Sequence, residues 1–299
     1  MTTEDDHPAH NLDEAARQFG DCRRRLFGIA YRMVGTASDA EDIVQDVWIR
    51  WQAYDRSVVR EPAAFLATTT TRMAINFLQS ARARHETYIG PWLPEPVDTS
   101  NDPTLGAERG EALSFAILLL LEKLTPTERA AYVLREAFDY SYAEIADVVQ
   151  RGETATRQLV SRARKHLRAE RRTQVPDEDQ RRLLDAFLVA AQHGDVAGLE
   201  RILAADVVSY SDGNGVKLAA RIPVIGRGRV ASFVAAFSSH FWIGKILEPI
   251  RLNGQPAMAL VEDGRITTAV TITASPSGIE QLLWLMSPDK LRRLTSADA

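Results

Sequence analysis

Between Arg151 and Arg172 the chain sets eight basic side chains (Arg151, Arg157, Arg162, Arg164, Lys165, Arg168, Arg171 and Arg172) against two acids, Glu153 and Glu170. Within that run Arg157, Gln158, Ser161, Arg162 and Lys165 recur at helical spacing and so share one side of a helix. Arg and Gln form hydrogen bonds to base edges, while the later cations neutralise phosphates. This is the chemistry of reading a nucleic acid rather than of making or breaking bonds. The whole-chain net charge of −4 points the other way. Phosphate attraction decays over about one Debye length, ~10 Å, so the local excess decides.

Two further constellations carry polar chemistry. Asp39, Asp42, Gln45 and Asp46 make an acidic helix face that suits a basic protein surface by charge complementarity, although alone it reads as a solvated face. Thr69, Arg72, Asn76 and Gln79 form a stripe at spacings of three, four and three, able to hold an unstacked base and its phosphates. Few exposed aromatics are expected there, so stacking should contribute little. Cys22 is the only cysteine, which excludes an intrachain disulfide and a thiolate zinc site. Arg23, Arg24 and Arg25 beside it would lower its pKa, against the simpler reading of a small helical residue. No His pair has metal-binding spacing, and His193 and His240 read as surface or helix-end residues.

These groups need elements to position them. Residues 12–85 read as helical: Leu26, Ile29, Ala30 and Met33 recur at helical spacing, as do Ile43, Val47, Trp48 and Trp51. Ser38 or Asp39 is the expected cap of a helix beginning near Ala40, and Glu61-Pro62 opens another. Residues 86–110 lose periodicity and carry Pro91, Pro94, Pro96 and Pro103, a linker. A second helical block over 111–172 starts near Gly110 and restarts at Thr125-Pro126, with Glu128 in the first turn. Inside it, Ser141 caps a short helix that turns Ile145, Ala146 and Val149 inward. A break at Gln150 to Gly152 leads to a second helix over 153–168 with Ala155, Leu159, Val160 and Ala163 inward. Short helix, turn and basic helix form a helix-turn-helix, whose second helix enters a major groove.

From 177 to 299 the pattern changes to α+β. Helices are expected over 183–192, 196–203 and 227–241. Strands are expected over 206–211, 216–221, 246–252, 258–262, 266–273 and 279–286, forming a curved antiparallel sheet. Asp212-Gly213-Asn214-Gly215 predicts a hairpin turn. Tyr210, Asp212, His240, Trp242, Glu262 and Trp284 are candidate lining groups of its interior, and no pair of them has a catalytic spacing. No apolar run approaches the ~18 residues that span a bilayer, and the acidic start, Glu4-Asp5-Asp6, does not resemble a signal peptide. A cytoplasmic protein without membrane contact is the simple reading.

Leu124-Thr-Pro-Thr-Glu-Arg-Ala-Ala-Tyr-Val-Leu-Arg-Glu136, Tyr140-Ser-Tyr-Ala-Glu-Ile-Ala146 and Leu159-Val-Ser-Arg-Ala-Arg164 resemble region four of extracytoplasmic-function sigma factors. Leu26-Phe-Gly-Ile-Ala-Tyr-Arg-Met33 and Ser38-Asp-Ala-Glu-Asp-Ile-Val-Gln-Asp-Val-Trp-Ile-Arg-Trp51 are similar to their region two. The resemblance implies core RNA polymerase and promoter DNA as partners, no cofactor and no chemistry of its own. It assigns 10–85 to polymerase binding through the Asp39–Asp46 face and to the −10 element through 62–84. It assigns the −35 element to the recognition helix. Gln150 stands where a turn Gly is common. Gly90-Pro-Trp-Leu-Pro-Glu-Pro96, Asp212-Gly-Asn-Gly215 and Ser287-Pro-Asp-Lys-Leu291 resemble the subgroup with a C-terminal SnoaL-like domain of cone-shaped fold, with Asn214 and Ser287 departing from its usual residues. That subgroup implies a built-in regulator in place of a separate anti-sigma factor. It acts through Trp92, Asp212, Gly213, Gly215, Asp289 and Lys290. A small-molecule ligand in the domain, a stand-alone helix-turn-helix regulator and an enzyme in the cone are the alternatives.

Overall fold

A computed structural model describes residues 8–85, 88–100, 115–170 and 175–294. The expected helix start near Gly110, and Arg171 and Arg172, lie outside the described residues. The chain forms two compact units, Met1–Arg82 with Leu120–Ala169, and Ala83–Leu119 with Glu170–Ala299. The connector between the helical blocks is therefore part of the C-terminal unit.

The first unit contains α1 (Pro8–Val34), α2 (Ala37–Ala53), a 3₁₀ turn (Arg56–Val58) and α3 (Pro62–His85). After α4 (Phe115–Leu121) it continues through α5 (Pro126–Phe138), α6 (Tyr142–Val149) and α7 (Glu153–Glu170). α2 starts earlier than expected, at Ala37, because Thr36 takes the extended N-cap position and its hydroxyl donates to Asp39. α5 and α6 each begin with a reciprocal capping box, Thr125 with Glu128 and Ser141 with Glu144. Each such cap stabilises a helix by ~1 kcal/mol. Leu26, Ile29, Met33, Val47 and Trp51 are buried along α1 and α2. The Trp51 indole N–H donates to Ala15 O at 3.2 Å.

Two arginines bind these helices together by capping helix ends. Helix C-termini leave carbonyls unpaired. Buried Arg129 of α5 donates to Met33 O near the end of α1 and to Glu122 at 2.7 Å. Arg72 of α3 donates to Asp147 O (2.7 Å) and Val148 O (3.1 Å) near the end of α6.

The second unit comprises α8 (Asp177–His193), α9 (Val196–Ile202), β1 (Leu203–Asp212), β2 (Val224–Ile225) and α10 (Arg227–Ala236). The strands β3 (Ile246–Leu252), β4 (Gln255–Glu262), β5 (Arg265–Ser275) and β6 (Gly278–Leu285) follow, then α11 (Pro288–Leu291). The sheet order is β2-β1-β6-β5-β4-β3. All pairings are antiparallel except β1 with β6, which is parallel and makes the sheet mixed. Residues 216–221 are not a strand, correcting that expectation. Asp212 to Gly215 leads instead into a long loop of turns, with Val216 N–H donating to Gly213 O. The segment lacks an alternation that would bury one face, and Lys217 and Leu218 are both exposed. α10 is also shorter than expected and ends at Ala236.

Alternation along β1 sorts the two faces. Val207, Ser209 and Ser211 point to a layer formed by α8, α9 and α10 with Phe187, Leu199, Val230 and Trp284. Tyr210 and Asp212 point to the other face, a core of Leu93, Phe115, Leu252, Leu283, Leu285 and Leu291. Leu93 and Phe115 of that second layer come from the connector.

Candidate functional site

The exposed face of α7 carries Arg157, Gln158, Ser161, Arg162 and Lys165. Leu159, Val160, Ala163 and Leu167 are buried beneath it. Ala155 is exposed, a correction. Thr156 takes the inner position instead, and its hydroxyl donates to Gly152 O at 3.2 Å. The helix therefore presents Thr154 beside Arg157 and Gln158, a position the sequence reading missed because Thr154 lies in the first turn. The Arg157 guanidinium lies 4.5 Å from the Tyr142 ring centroid and 2.6 Å from Glu153. Tyr142 and Glu153 hold it in place. Arg162 lies 3.2 Å from Glu128 of α5. The turn before α7 holds Gln150 at φ 53°, so this position has the left-handed conformation a turn glycine would supply.

On α2, Asp42, Gln45 and Asp46 are exposed, whereas Asp39 is half-buried and accepts from Thr36. Exposed Ile49 continues the face one turn on and went unnoticed, since a lone apolar residue carries no signal in a sequence. Glu41 points elsewhere and pairs with Arg23 of α1 at 2.6 Å. On α3 the expected stripe divides. Asn76 and Gln79 are exposed, Arg72 caps α6, and the half-buried Thr69 hydroxyl donates to Phe65 O at 2.9 Å. Thr69 lines a cleft with Arg50, Trp51, Tyr54 and Phe65. The Tyr54 and Phe65 rings are 4.6 Å apart, and Tyr54 is exposed, so the stripe does have aromatic surface beside it.

Comparison with known proteins agrees with this geometry. Family models for Sigma-70 region 2 and Sigma-70, region 4 match residues 19–84 and 114–167. The ECF RNA polymerase sigma factor SigJ of Mycobacterium tuberculosis is 37% identical over 232 residues, spanning 76% of this chain and 74% of that protein. The chain belongs to the extracytoplasmic-function sigma factors. It is also similar to the probable ECF RNA polymerase sigma factor SigI of M. tuberculosis, at 27% identity over 90% of this chain and 92% of the relative. The crystal structure of SigJ superposes with a TM-score of 0.74 and 31% identity, covering 92% of this chain and 97% of that one. The match takes in the C-terminal α+β domain, which is SnoaL-like. As a sigma factor the protein binds core RNA polymerase and directs transcription initiation at promoters. No helix among the described residues is long and apolar enough to cross a membrane, and none of their side chains form a metal-binding cluster.

In this sigma factor the second-unit residues singled out from sequence converge on one buried carboxylate. Asp212 is fully buried, and its Oδ2 lies 2.6 Å from Nζ of buried Lys290. The Leu93 backbone N–H donates to the same oxygen at 2.7 Å, and the Tyr88 hydroxyl donates to Oδ1. Lys290 also donates to Leu93 O and sits 4.4 Å from the Trp92 ring centroid and 5.0 Å from that of Tyr88. Burial, and then the charge of Asp212, push the Tyr88 phenol well above its ordinary pKa, so it stays a neutral donor. Gly213 has no room for a side chain: a Cβ would come 2.3 Å from Ala219 Cβ. Gly215 adopts φ 90°. Asp289 is exposed and accepts from Arg292, and its charge acts on Tyr88 without a hydrogen bond to Asp212 or Lys290 among those described. The connector continues past the clamp. Val97 exchanges backbone and side-chain hydrogen bonds with Asn253, and Thr99 N–H donates to Arg251 O at 2.9 Å.

The six expected interior groups also divide. Trp242 and Trp284 line the cleft on the helical face, together with Ser211, Phe233, Phe237, Phe241 and Met286. Tyr210 and Asp212 lie on the opposite face, and His240 and Glu262 are exposed. Among the described residues, the cleft wall carries no carboxylate or imidazole for acid–base work.

Proposed function

We propose that this sigma factor divides its work among four surfaces and restrains itself through its connector. The Asp39, Asp42, Gln45 and Asp46 face, extended by Ile49, docks on core polymerase. Asn76, Gln79 and Arg72, with the Thr69–Tyr54–Phe65 cleft, take the −10 element. Arg157, Gln158, Ser161, Arg162 and Lys165 take the −35 element. The SnoaL-like domain, through Asp212, Gly213, Gly215 and Lys290, holds the connector at Trp92 and Leu93 and so limits how regions two and four part. The reading rests on the Asp212–Lys290 pair, a buried charge pair that also bonds the Leu93 N–H and C=O of the connector and the Tyr88 hydroxyl. A regulator tethered in the same chain acts at high effective concentration, so no separate anti-sigma factor is needed. The family relationship, and a cleft wall whose described residues carry no titratable group, argue against catalysis in the cone.

The test is transcription by purified core polymerase on a promoter library, comparing the full chain with its Leu93→Ala variant. Leu93 is fully buried, and its truncation weakens the anchor by ~2–5 kcal/mol while leaving the domain's own sheet and helices intact. Specific transcripts from the parent and a higher yield from the variant are expected. Equal yields, with proteolysis showing a loosened connector, would sink the restraint. No transcripts from either, beside a working control sigma factor, would sink the promoter assignment.

A further inference from the structure

The SnoaL-like domain distributes its charge unevenly along the chain. Residues 177–294 hold thirteen Asp and Glu against thirteen Lys and Arg. From Gly213 to Leu247 the chain has five of those cations, Lys217, Arg221, Arg227, Arg229 and Lys245, and no acid. Lys245 is answered by Glu262 at 2.7 Å, and Arg227 donates to Leu203 O at 2.8 Å. Lys217, Arg221 and Arg229 are exposed and make no ion pair among the described residues.

The same acid-free segment carries most of the domain's exposed large apolar side chains. Ile222 is 74% exposed, Ile243 71%, Ile246 65% and Ile225 57%, and Leu218 is exposed beside them. Among residues 177–294, Val189 and Val196 are the others. Leu218 and Trp242 line the same cleft, so the loop before β2 and the turn after α10 meet at its mouth. Cation and aliphatic stand side by side in both stretches, as Lys217-Leu218, Arg221-Ile222 and Ile243 with Lys245. Single exposed aliphatics are ordinary, whereas a group of them rimmed by charge marks an interaction surface.

Two features choose the partner. Cations without internal partners suit an anionic surface. The isoleucines project from turns and strand ends rather than lining a groove, and the cleft between them has about 30 Å³, room for a water or two. A folded protein would need a matching pocket for each of these knobs, and a nucleic acid backbone offers them phosphate instead of an apolar layer. A bilayer surface accepts both, anionic headgroups for the cations and a deformable acyl boundary for the aliphatics. We propose that this rim is a docking surface for anionic lipid, with Lys217, Arg221 and Arg229 at the headgroups and Ile222 and Ile243 below them. No described helix is long and apolar enough to cross a membrane, and contact with its surface needs none. The proposal rests on neither the promoter assignments nor the restraint.

The test is sedimentation of the full chain with vesicles of phosphatidylcholine alone and of equal parts phosphatidylcholine and phosphatidylglycerol, at low and high salt. The chain is expected to sediment with the mixed vesicles, to stay in solution with the neutral ones, and to be released by salt. Ile222→Ser and Ile243→Ser together should weaken the partitioning about tenfold or more, and each alone by less. Arg221→Gln and Arg229→Gln should each weaken it about fivefold. All four side chains are exposed, and an unchanged thermal midpoint checks that the fold is kept. The recognition helix is basic as well, so the isoleucines decide. Binding to mixed vesicles that survives their replacement belongs to another basic face and overturns the proposal. No binding to either vesicle, or equal binding to both, also overturns it. None of these outcomes depends on transcription, so failure here leaves the promoter assignment standing, and failure there leaves the lipid surface.

Discussion

Gln150 holds φ 53° and ψ 51° at the end of α6, where its N–H and that of Arg151 both reach back to Ala146 O. An L-residue pays roughly 1–2 kcal/mol in this conformation, and glycine gives back about half of that through its looser unfolded chain. Gln150→Gly should therefore stabilise the helix-turn-helix by ~0.5–1 kcal/mol and raise the thermal midpoint of the full chain by about 2 °C. A lowered midpoint would mean that the Gln side chain itself supports the turn. Cys22 shows where residue-level reading from sequence stops. Three arginines follow it, yet burial and Asp21 push the thiol up, and only Arg25 opposes them. Arg23 is drawn to Glu41, and the Arg25 guanidinium lies 4.9 Å from the Tyr140 ring centroid. Neighbours along the chain were counted as neighbours in space, and the fold spent their charge elsewhere. Asp212 was singled out only through a motif. That Tyr88, Leu93 and Lys290 would meet on it depends on contacts more than a hundred residues apart for the first two, which no local pattern contains.

At the scale of elements, legibility followed the range of the forces. Capping boxes at Thr125–Glu128 and Ser141–Glu144 act within four residues, and those helix starts were readable. The β3 to β6 meander pairs neighbours in sequence and was also readable, whereas the parallel β1–β6 pairing closes the sheet across the whole domain and was not. The recognition helix was legible because one face is buried and the other is basic. Its two kinds of side chain should separate in binding of holoenzyme to promoter duplexes followed against salt. Arg157→Ala removes a guanidinium already aimed by Tyr142, so it should cost ~1–3 kcal/mol and relax sequence preference at one position. Lys165→Ala, just over two turns further on and exposed, should weaken all sequences alike and lower the salt slope by about one. The opposite pattern would exchange their roles.

For the molecule as a whole, the arginine caps set a condition on activity. Arg72 cannot donate to Asp147 O and Val148 O and also serve a −10 phosphate or base. On the roles proposed above, α3 and α7 read elements about 25 base pairs apart, which is ~85 Å of B-form duplex at ~3.4 Å per pair. Helices that touch through Arg72 and Arg129 do not span that distance, so regions two and four have to separate when the holoenzyme forms. On the proposed restraint the connector limits that step: residues 88–100 are hydrogen-bonded to the C-terminal sheet and Leu93 is buried in its second layer. Labels on cysteines placed at exposed Ser80 and Ala143, in a Cys22→Ser background, report the separation directly. Their distance should lengthen by tens of ångströms when core polymerase is added, as the spacing of the two elements requires. Arg72→Ala should shift the free protein toward the longer distance, because it removes the cap without touching the connector. An unchanged distance in the holoenzyme would mean that the two regions engage polymerase while still joined, and that the arginine caps belong to the working form.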